Sequence, residues 1–75
     1  MSVVNKKICV IGLGYIGLPL AICSAYKGLN ITGVDIRSRH INKIKNKRIK
    51  INDAYASKIF AKTKFKISKK IPPSD

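Results

Sequence analysis

The sequence predicts an α/β fold built on a short parallel sheet, and three observations predict it. The apolar run "ICVIGLGYIGLPLAICSAY" (residues 8–26) changes its period partway along. It also carries Gly12, Gly14, Gly17 and Pro19 within eight positions. A second β-rich run, "NITGVD", follows and ends on an acid. Strand, glycine turn, helix and strand then succeed one another within a single short unit, the order of a βαβ segment.

The first run has two other readings. Its nineteen residues carry no formal charge and are flanked by Lys6–Lys7 and Lys27. As one helix, at about 1.5 Å per residue, they would just reach across a hydrocarbon core. The basic flank and the small residues Ser24–Ala25 also imitate an export signal. The glycines and the change of period argue against both, so no membrane span is expected. Cys9 and Cys23 sit inside apolar segments without a second cysteine or a histidine at ligand spacing, and His40 stands alone. The cysteines read as small buried hydrophobes in a reducing, cytoplasmic setting, with no metal site and no catalytic thiol.

Taken in order, Ile8, Cys9, Val10 and Ile11 form the first strand. The helix after the turn should begin near Tyr15 or Ile16, because Pro19 is comfortable only in a first turn. Ile16, Leu20 and Cys23–Ser24 follow helical spacing. Gly28 is placed as the residue just past the helix end. "NITGVD" is the second strand. "RSRHINKIKNKR" (37–48) sets Ile41 and Ile44 on one stripe among basic residues, an amphipathic helix with His40 solvated on its flank. Asp53 can cap "AYASKIFAK", whose Tyr55, Ile59 and Phe60 could face the sheet. "FKISK" alternates as a third strand, and "IPPSD" breaks the pattern.

Gly12-x-Gly14-x-x-Gly17 between strand and helix is the dinucleotide-binding spacing of a Rossmann sheet. Gly12 lets the chain turn out of the strand, Gly14 lets backbone approach a pyrophosphate, and Gly17 lets the helix pack on the strand. Amides at the helix start, with Tyr15 and Ile16 as turn backbone, can hold phosphates. Asp35 lies eighteen residues beyond Gly17, where a carboxylate can accept the adenosine ribose hydroxyls. A 2′-phosphate would meet a like charge there, so NAD is the expected cofactor. Arg37, two residues on, is of the type that accommodates such a phosphate.

The expected architecture is therefore the first half of a Rossmann doubly wound parallel sheet, β-α-β-α-α-β with strand order 3-2-1. Residues 1–71 form a partial dinucleotide-binding domain and 72–75 a breaker or linker to a missing continuation. Strand one is left with an open apolar edge that favours association. Only the adenosine half of the usual site is present, and the chain reads as a fragment or a degenerate gene product.

At "KICVIGLGYIGLPLA" and "GVDI" the sequence resembles the amino terminus of the UDP-glucose/GDP-mannose dehydrogenase family. Its Leu-Pro is more similar to the UDP-N-acetylhexosamine branch, which includes the UDP-N-acetyl-D-mannosamine enzymes, than to the UDP-glucose branch. The likeness is close over residues 6–36 and looser through "INKIKNKRIKI", where Lys47 replaces a glycine common in the family. "NDAYA" stands where the family usually has Glu-Pro-Gly-Leu. The resemblance implies a nucleotide-sugar 6-dehydrogenase of polysaccharide precursor synthesis, oxidising a C6 alcohol to a carboxylate with two NAD. It assigns Gly12, Gly14, Tyr15, Ile16 and Gly17 to the pyrophosphate turn and Asp35 with Arg37 to the ribose. The family's catalytic cysteine and sugar-binding domain lie downstream, so these residues alone are not expected to catalyse, and a UDP-sugar is expected only in a full-length parent.

Composition supports a rival. Sixteen Lys+Arg against three Asp+Glu give a net charge of +13, which attracts nucleic acid, anionic lipid or phosphorylated ligands. The charge is spread from Lys43 to Lys70, and Tyr55, Phe60 and Phe65 are few platforms for base stacking. A small basic nucleic-acid-binding protein is thus the alternative, and a stand-alone nucleotide-sensing module with a partner on the open strand edge is the third reading.

Overall fold

The two β-rich runs and "FKISK" form three parallel strands in a computed structural model that describes residues 7–70. The element order is β1 (Lys7–Ile11), α1 (Gly17–Tyr26), β2 (Asn30–Val34), α2 (Ser38–Lys45), α3 (Ala54–Phe60) and β3 (Lys66–Ser68). The strands lie in the order β1-β2-β3, the expected 3-2-1 read from the opposite edge. Ile8 pairs with Ile31 and Val10 with Gly33, which pairs in turn with Ile67. The expected breaker "IPPSD", with the 72–75 linker, lies outside the described residues.

Helix α1 starts at Gly17 with Ile16 as its N-cap, slightly later than the spacing suggests, and Pro19 sits in the first turn where no amide is needed. At its other end Gly28 takes φ +96°. Its N–H donates to the Ala25 carbonyl and that of Leu29 to Ser24, which together satisfy the last carbonyls.

Helix α2 ends in the same way but with a different residue. Lys47 donates its N–H to Ile44 and Arg48 to Lys43, and Lys47 takes φ +59°. This is the conformation that suits glycine, which explains why a glycine is natural here. Lysine adds contacts that glycine lacks. Its Nζ donates to the carbonyls of Phe60 (2.7 Å) and Thr63 (2.8 Å) and lies 4.0 Å from the centre of the Phe60 ring. The ammonium therefore ties the end of α2 to the end of α3. Lys47→Ala keeps the backbone strain and loses those bonds, so we expect a loss of about 1 kcal/mol. Lys47→Gly relieves about 1 kcal/mol of strain and should fall less far. Urea midpoints check the order, and an alanine variant as stable as the parent would show that the ammonium contributes nothing.

The core collects Leu13, Leu18, Ala21 and Ile22 with Ile31, Ile44, Ala56, Ile59 and Phe60. Ile41 and Ile44 are buried as expected, and Asp53 caps α3 by accepting the Ala56 N–H at 2.8 Å. Three expectations are corrected. The buried face of α1 is Leu18, Ala21 and Ile22, whereas Ile16 and Leu20 are exposed. In a helix that is apolar nearly all round, spacing carries no phase. Tyr55 does not face the sheet; it is exposed and meets Tyr26 edge-on at 6.5 Å. Cys9 is exposed rather than buried, because β1 is an edge strand. Ile8 and Ile11 are exposed on the same strand. Among the described residues no strand pairs with its outer edge, and none of their helices is long and apolar enough to cross a membrane.

Candidate functional site

The site lies where β1 and β2 end on the same side of the sheet, the position at which open α/β sheets bind ligands. Gly12 leaves β1 at φ +86°, a conformation L side chains rarely adopt. Its N–H donates to the Val34 carbonyl at 2.7 Å, which ties the turn to β2. Gly17 is required for a different reason. A Cβ there would stand 1.8 Å from the Gly12 carbonyl oxygen, so only a bare Cα lets α1 meet the turn. A Cβ on Gly14 would meet only Arg37 Nη2, at 3.8 Å.

Leu13, between the first two glycines, is fully buried and anchors the turn in the core. Gly33 of β2 makes room for it: a Cβ there would lie 2.8 Å from both Leu13 methyl carbons. Both backbone groups of Leu13 are held by side chains from beyond β2. Its N–H donates to Asp35 Oδ2 at 3.0 Å, and its carbonyl accepts a hydrogen bond from His40 Nε2.

The Asp35 carboxylate has further partners. Oδ1 accepts the Arg37 backbone N–H and Nε–H, each at 2.9 Å, and Oδ2 accepts Arg37 Nη2 at 2.8 Å. With Leu13 included, four donors meet its two oxygens. The Asp35 side chain is 3% exposed and that of Arg37 56%. The guanidinium hydrogen bonds hold the Asp35 carboxyl well below the usual carboxylate range. The backbone N–H groups of Arg37 and Leu13 add to this, against the opposing effect of burial.

A cleft of about 260 Å³ opens beside the turn, lined by Gly14, Tyr15, Pro19, Arg37, His40 and Lys50 among others. A second, of about 280 Å³, shares Tyr15, Pro19 and Asn52 with it and adds Ile16 and Asp53. Tyr15 and Ile16 are both exposed. No side chain caps α1; Leu18 donates its N–H to the Gly14 carbonyl at 3.2 Å and Pro19 has none, so the Gly17 N–H is the amide at the helix start left for solvent or a ligand. A bare Gly14 beside the cleft and an uncapped helix start suit the pyrophosphate and adenosine parts of a dinucleotide.

The structure thus brings Gly12, Gly14, Tyr15, Ile16, Gly17, Asp35 and Arg37 to one end of the sheet. It differs from expectation at Asp35, which holds protein donors instead of presenting an open carboxylate. His40, expected to be solvated, is half-buried against the turn. Its place in the first turn of the helix that follows Asp35 was the available signal. Leu13 was legible as the apolar residue between two glycines. Lys50 belongs to no motif.

Comparisons with known proteins fall on the same region. The sequence profile of the UDP-glucose/GDP-mannose dehydrogenase family, NAD binding domain, matches residues 6–72. A UDP-N-acetyl-D-mannosamine dehydrogenase of Methanococcus maripaludis is 54% identical over 48 residues, which are 64% of this chain and 11% of that protein. One from Pyrococcus horikoshii is 58% identical over 38 residues, 51% of this chain and 9% of that protein. The solved UDP-N-acetyl-mannosamine dehydrogenase Cap5O from S. aureus superposes with a TM-score of 0.73 at 36% identity, covering 93% of this chain and 18% of that one. The chain therefore spans about a tenth of the length of the curated relatives it matches.

Proposed function

The chain belongs to the UDP-glucose/GDP-mannose dehydrogenase family, within its NAD-binding domain, and from that premise we propose that its residues bind the adenosine and pyrophosphate parts of NAD for a nucleotide-sugar 6-dehydrogenase. The substrate we assign is UDP-N-acetyl-D-mannosamine, oxidised at C6 from alcohol to carboxylate during polysaccharide precursor synthesis. When bound, NAD supplies the hydride acceptor, one molecule for each of the two oxidations. The part assigned to these residues is binding, not turnover.

The observation that carries this reading is the turn itself: Gly17 against Gly12, with Leu13 held from below by Asp35 and His40, all inside the matched region. In this proposal the backbone of Tyr15, Ile16 and Gly17 takes the pyrophosphate, and Gly14 gives it room. Asp35 and Arg37 take the adenosine ribose. Because Asp35 is enclosed, Arg37 is the member of the pair that a ligand meets first. Residues 1–71 act as the partial dinucleotide-binding domain and 72–75 as its linker. The exposed edge of β1 is the surface through which it associates. A cytoplasmic location fits the two free cysteines and the supply of NAD.

An amide NMR titration with NAD⁺ at physiological salt tests the reading. Resonances from Gly12 to Gly17 and around Asp35 and Arg37 are expected to shift together and saturate. A dispersed spectrum that NAD⁺ leaves unmoved would overturn it.

A further inference from the structure

The basic residues are spread along the sequence, but the fold sorts them by end. Among the described residues both acids lie toward the glycine turn: Asp35 follows β2, and Asp53 lines a cleft with Tyr15 and Ile16. Lysines collect at the other end, where α2 and α3 finish and β3 begins. Lys43 and Lys45 stand in the last turn of α2 and Lys58 in that of α3. Lys62 and Lys64 lie on the link that follows, and Lys66 opens β3. All six are exposed, and among the described residues no acid pairs with any of them. Lys47 shows that these segments converge, since its Nζ reaches the carbonyls of Phe60 and Thr63. Burial, with the nearby Lys64 charge, pushes the Lys47 ammonium below its ordinary value, a sign of like charges crowded together. Cations in a last helical turn offset the helix dipole, which accounts for Lys43, Lys45 and Lys58. It does not account for Lys62, Lys64 and Lys66, which lie beyond the helix ends.

We propose that this lysine end docks on the phosphate backbone of duplex DNA, away from the dinucleotide cleft. The proposal does not rest on the dinucleotide reading. Ammonium groups meet phosphates as point charges and position a protein on a duplex without reading its bases. B-DNA carries one charge per about 1.7 Å of axis, so several of these lysines can be neutralised at once, with release of counterions. A single strand is the poorer match. Phe60 is buried and Phe65 half-buried, so the link through these lysines offers no open ring for base stacking. An anionic bilayer is also poorer, because Ile41, Ile44 and Ile59 are turned into the core and leave no apolar face to enter lipid.

Titration of the 75-residue chain into a short mixed-sequence DNA duplex, read by fluorescence anisotropy across a range of salt, tests this. The logarithm of the binding constant should fall with that of salt at a slope of about −4, as for four or five neutralised phosphates. Amide resonances of residues 43–47 and 58–66 should move on binding, and those from Gly12 to Gly17 should not. Saturating NAD⁺ should leave duplex affinity unchanged. Replacing Lys62, Lys64 and Lys66 together by Gln should weaken binding at least about tenfold and make the slope shallower by about 2–3. The control triple Arg39→Gln, Lys69→Gln and Lys70→Gln removes as much charge from the glycine-turn end, where α2 starts and β3 has ended. It should weaken binding less than about threefold. Equal losses in the two triples would show that net charge alone drives binding and would overturn the inference. Displacement of the duplex by NAD⁺, or shifts confined to the glycine turn, would do the same. Tighter binding at the same salt to phosphatidylserine vesicles, to polyglutamate or to single-stranded DNA would overturn the choice of partner. If the first triple loses its dispersed amide spectrum, Lys64→Gln alone should make the slope shallower by about 1. An unmoved slope in that variant would count against the site.

Discussion

Gly17→Ala is expected to abolish the folded state. The added Cβ would sit 1.8 Å from the Gly12 carbonyl oxygen and 3.0 Å from its carbon, and both are backbone atoms. Gly12 cannot retreat without breaking its 2.7 Å bond to the Val34 carbonyl. Helix α1 cannot retreat without lifting Leu18, Ala21 and Ile22 out of the core. Either escape costs more than about 4 kcal/mol, the range of severe core and strain mutations. A single core of this size has roughly that much to lose. Far-UV circular dichroism and amide dispersion read the result, and a cooperative melt near that of the parent would show that α1 can pivot on the turn. Gly14→Ala is the control. Its Cβ meets only Arg37 Nη2 at an ordinary 3.8 Å, so it should fold and lose ligand affinity instead.

The second large effect is expected at Asp35. Asp35→Ala leaves the buried Leu13 N–H without its acceptor, a loss of about 1–3 kcal/mol, and releases Arg37 from its partner. The turn should loosen and dinucleotide affinity fall with stability. The pH dependence follows from the depressed pKa. A carboxylate held below its unfolded value contributes stability that is complete above that value, near about pH 4, and is lost progressively as pH falls toward the folded pKa. The parent chain should therefore weaken from about pH 4 downward, whereas Asp35→Asn, which keeps an acceptor but no charge, should show a shallower decline. Urea midpoints at neutral and acid pH measure both. Parallel pH profiles for the two chains would show that the Asp35 charge contributes nothing to folding.

Much of this was legible in the residues before any coordinates. Glycine spacing, the short run ending on Asp35, the Gly28 stop and the Asp53 cap are local signals, each set by the conformation of a few consecutive residues. They placed the elements within a residue or two and brought the glycine turn and the acid to one end of the sheet. Ile41 and Ile44 were legible because the rest of their helix is polar, so periodicity has a phase. The phase of α1 was not, because Ile16, Leu18, Leu20 and Ile22 are equally apolar and only the contact at Gly17 selects among them. Tyr55 and Cys9 were misread for a related reason. Whether an apolar residue is covered depends on what the fold packs around it, and Cys9 sits on an edge strand with a neighbouring strand on one side only among the described residues.

The site shows the same division. That Asp35 would matter was written in its distance from Gly17; what it would hold was not. Its carboxylate accepts from Leu13, 22 residues away in sequence, and its neighbour Arg37 folds back over it. His40 reaches the other side of Leu13 across 27 residues. Lys47 adopts a glycine's conformation and reaches Phe60 at the end of α3 and Thr63 just beyond it. The sequence by itself determined the strand–turn–helix–strand order and the family, because turn geometry and capping act between near neighbours. The tertiary structure alone decided that Asp35 is enclosed and Arg37 exposed, because the choice of partner for a charge is made by whichever groups the folded chain brings within hydrogen-bond reach.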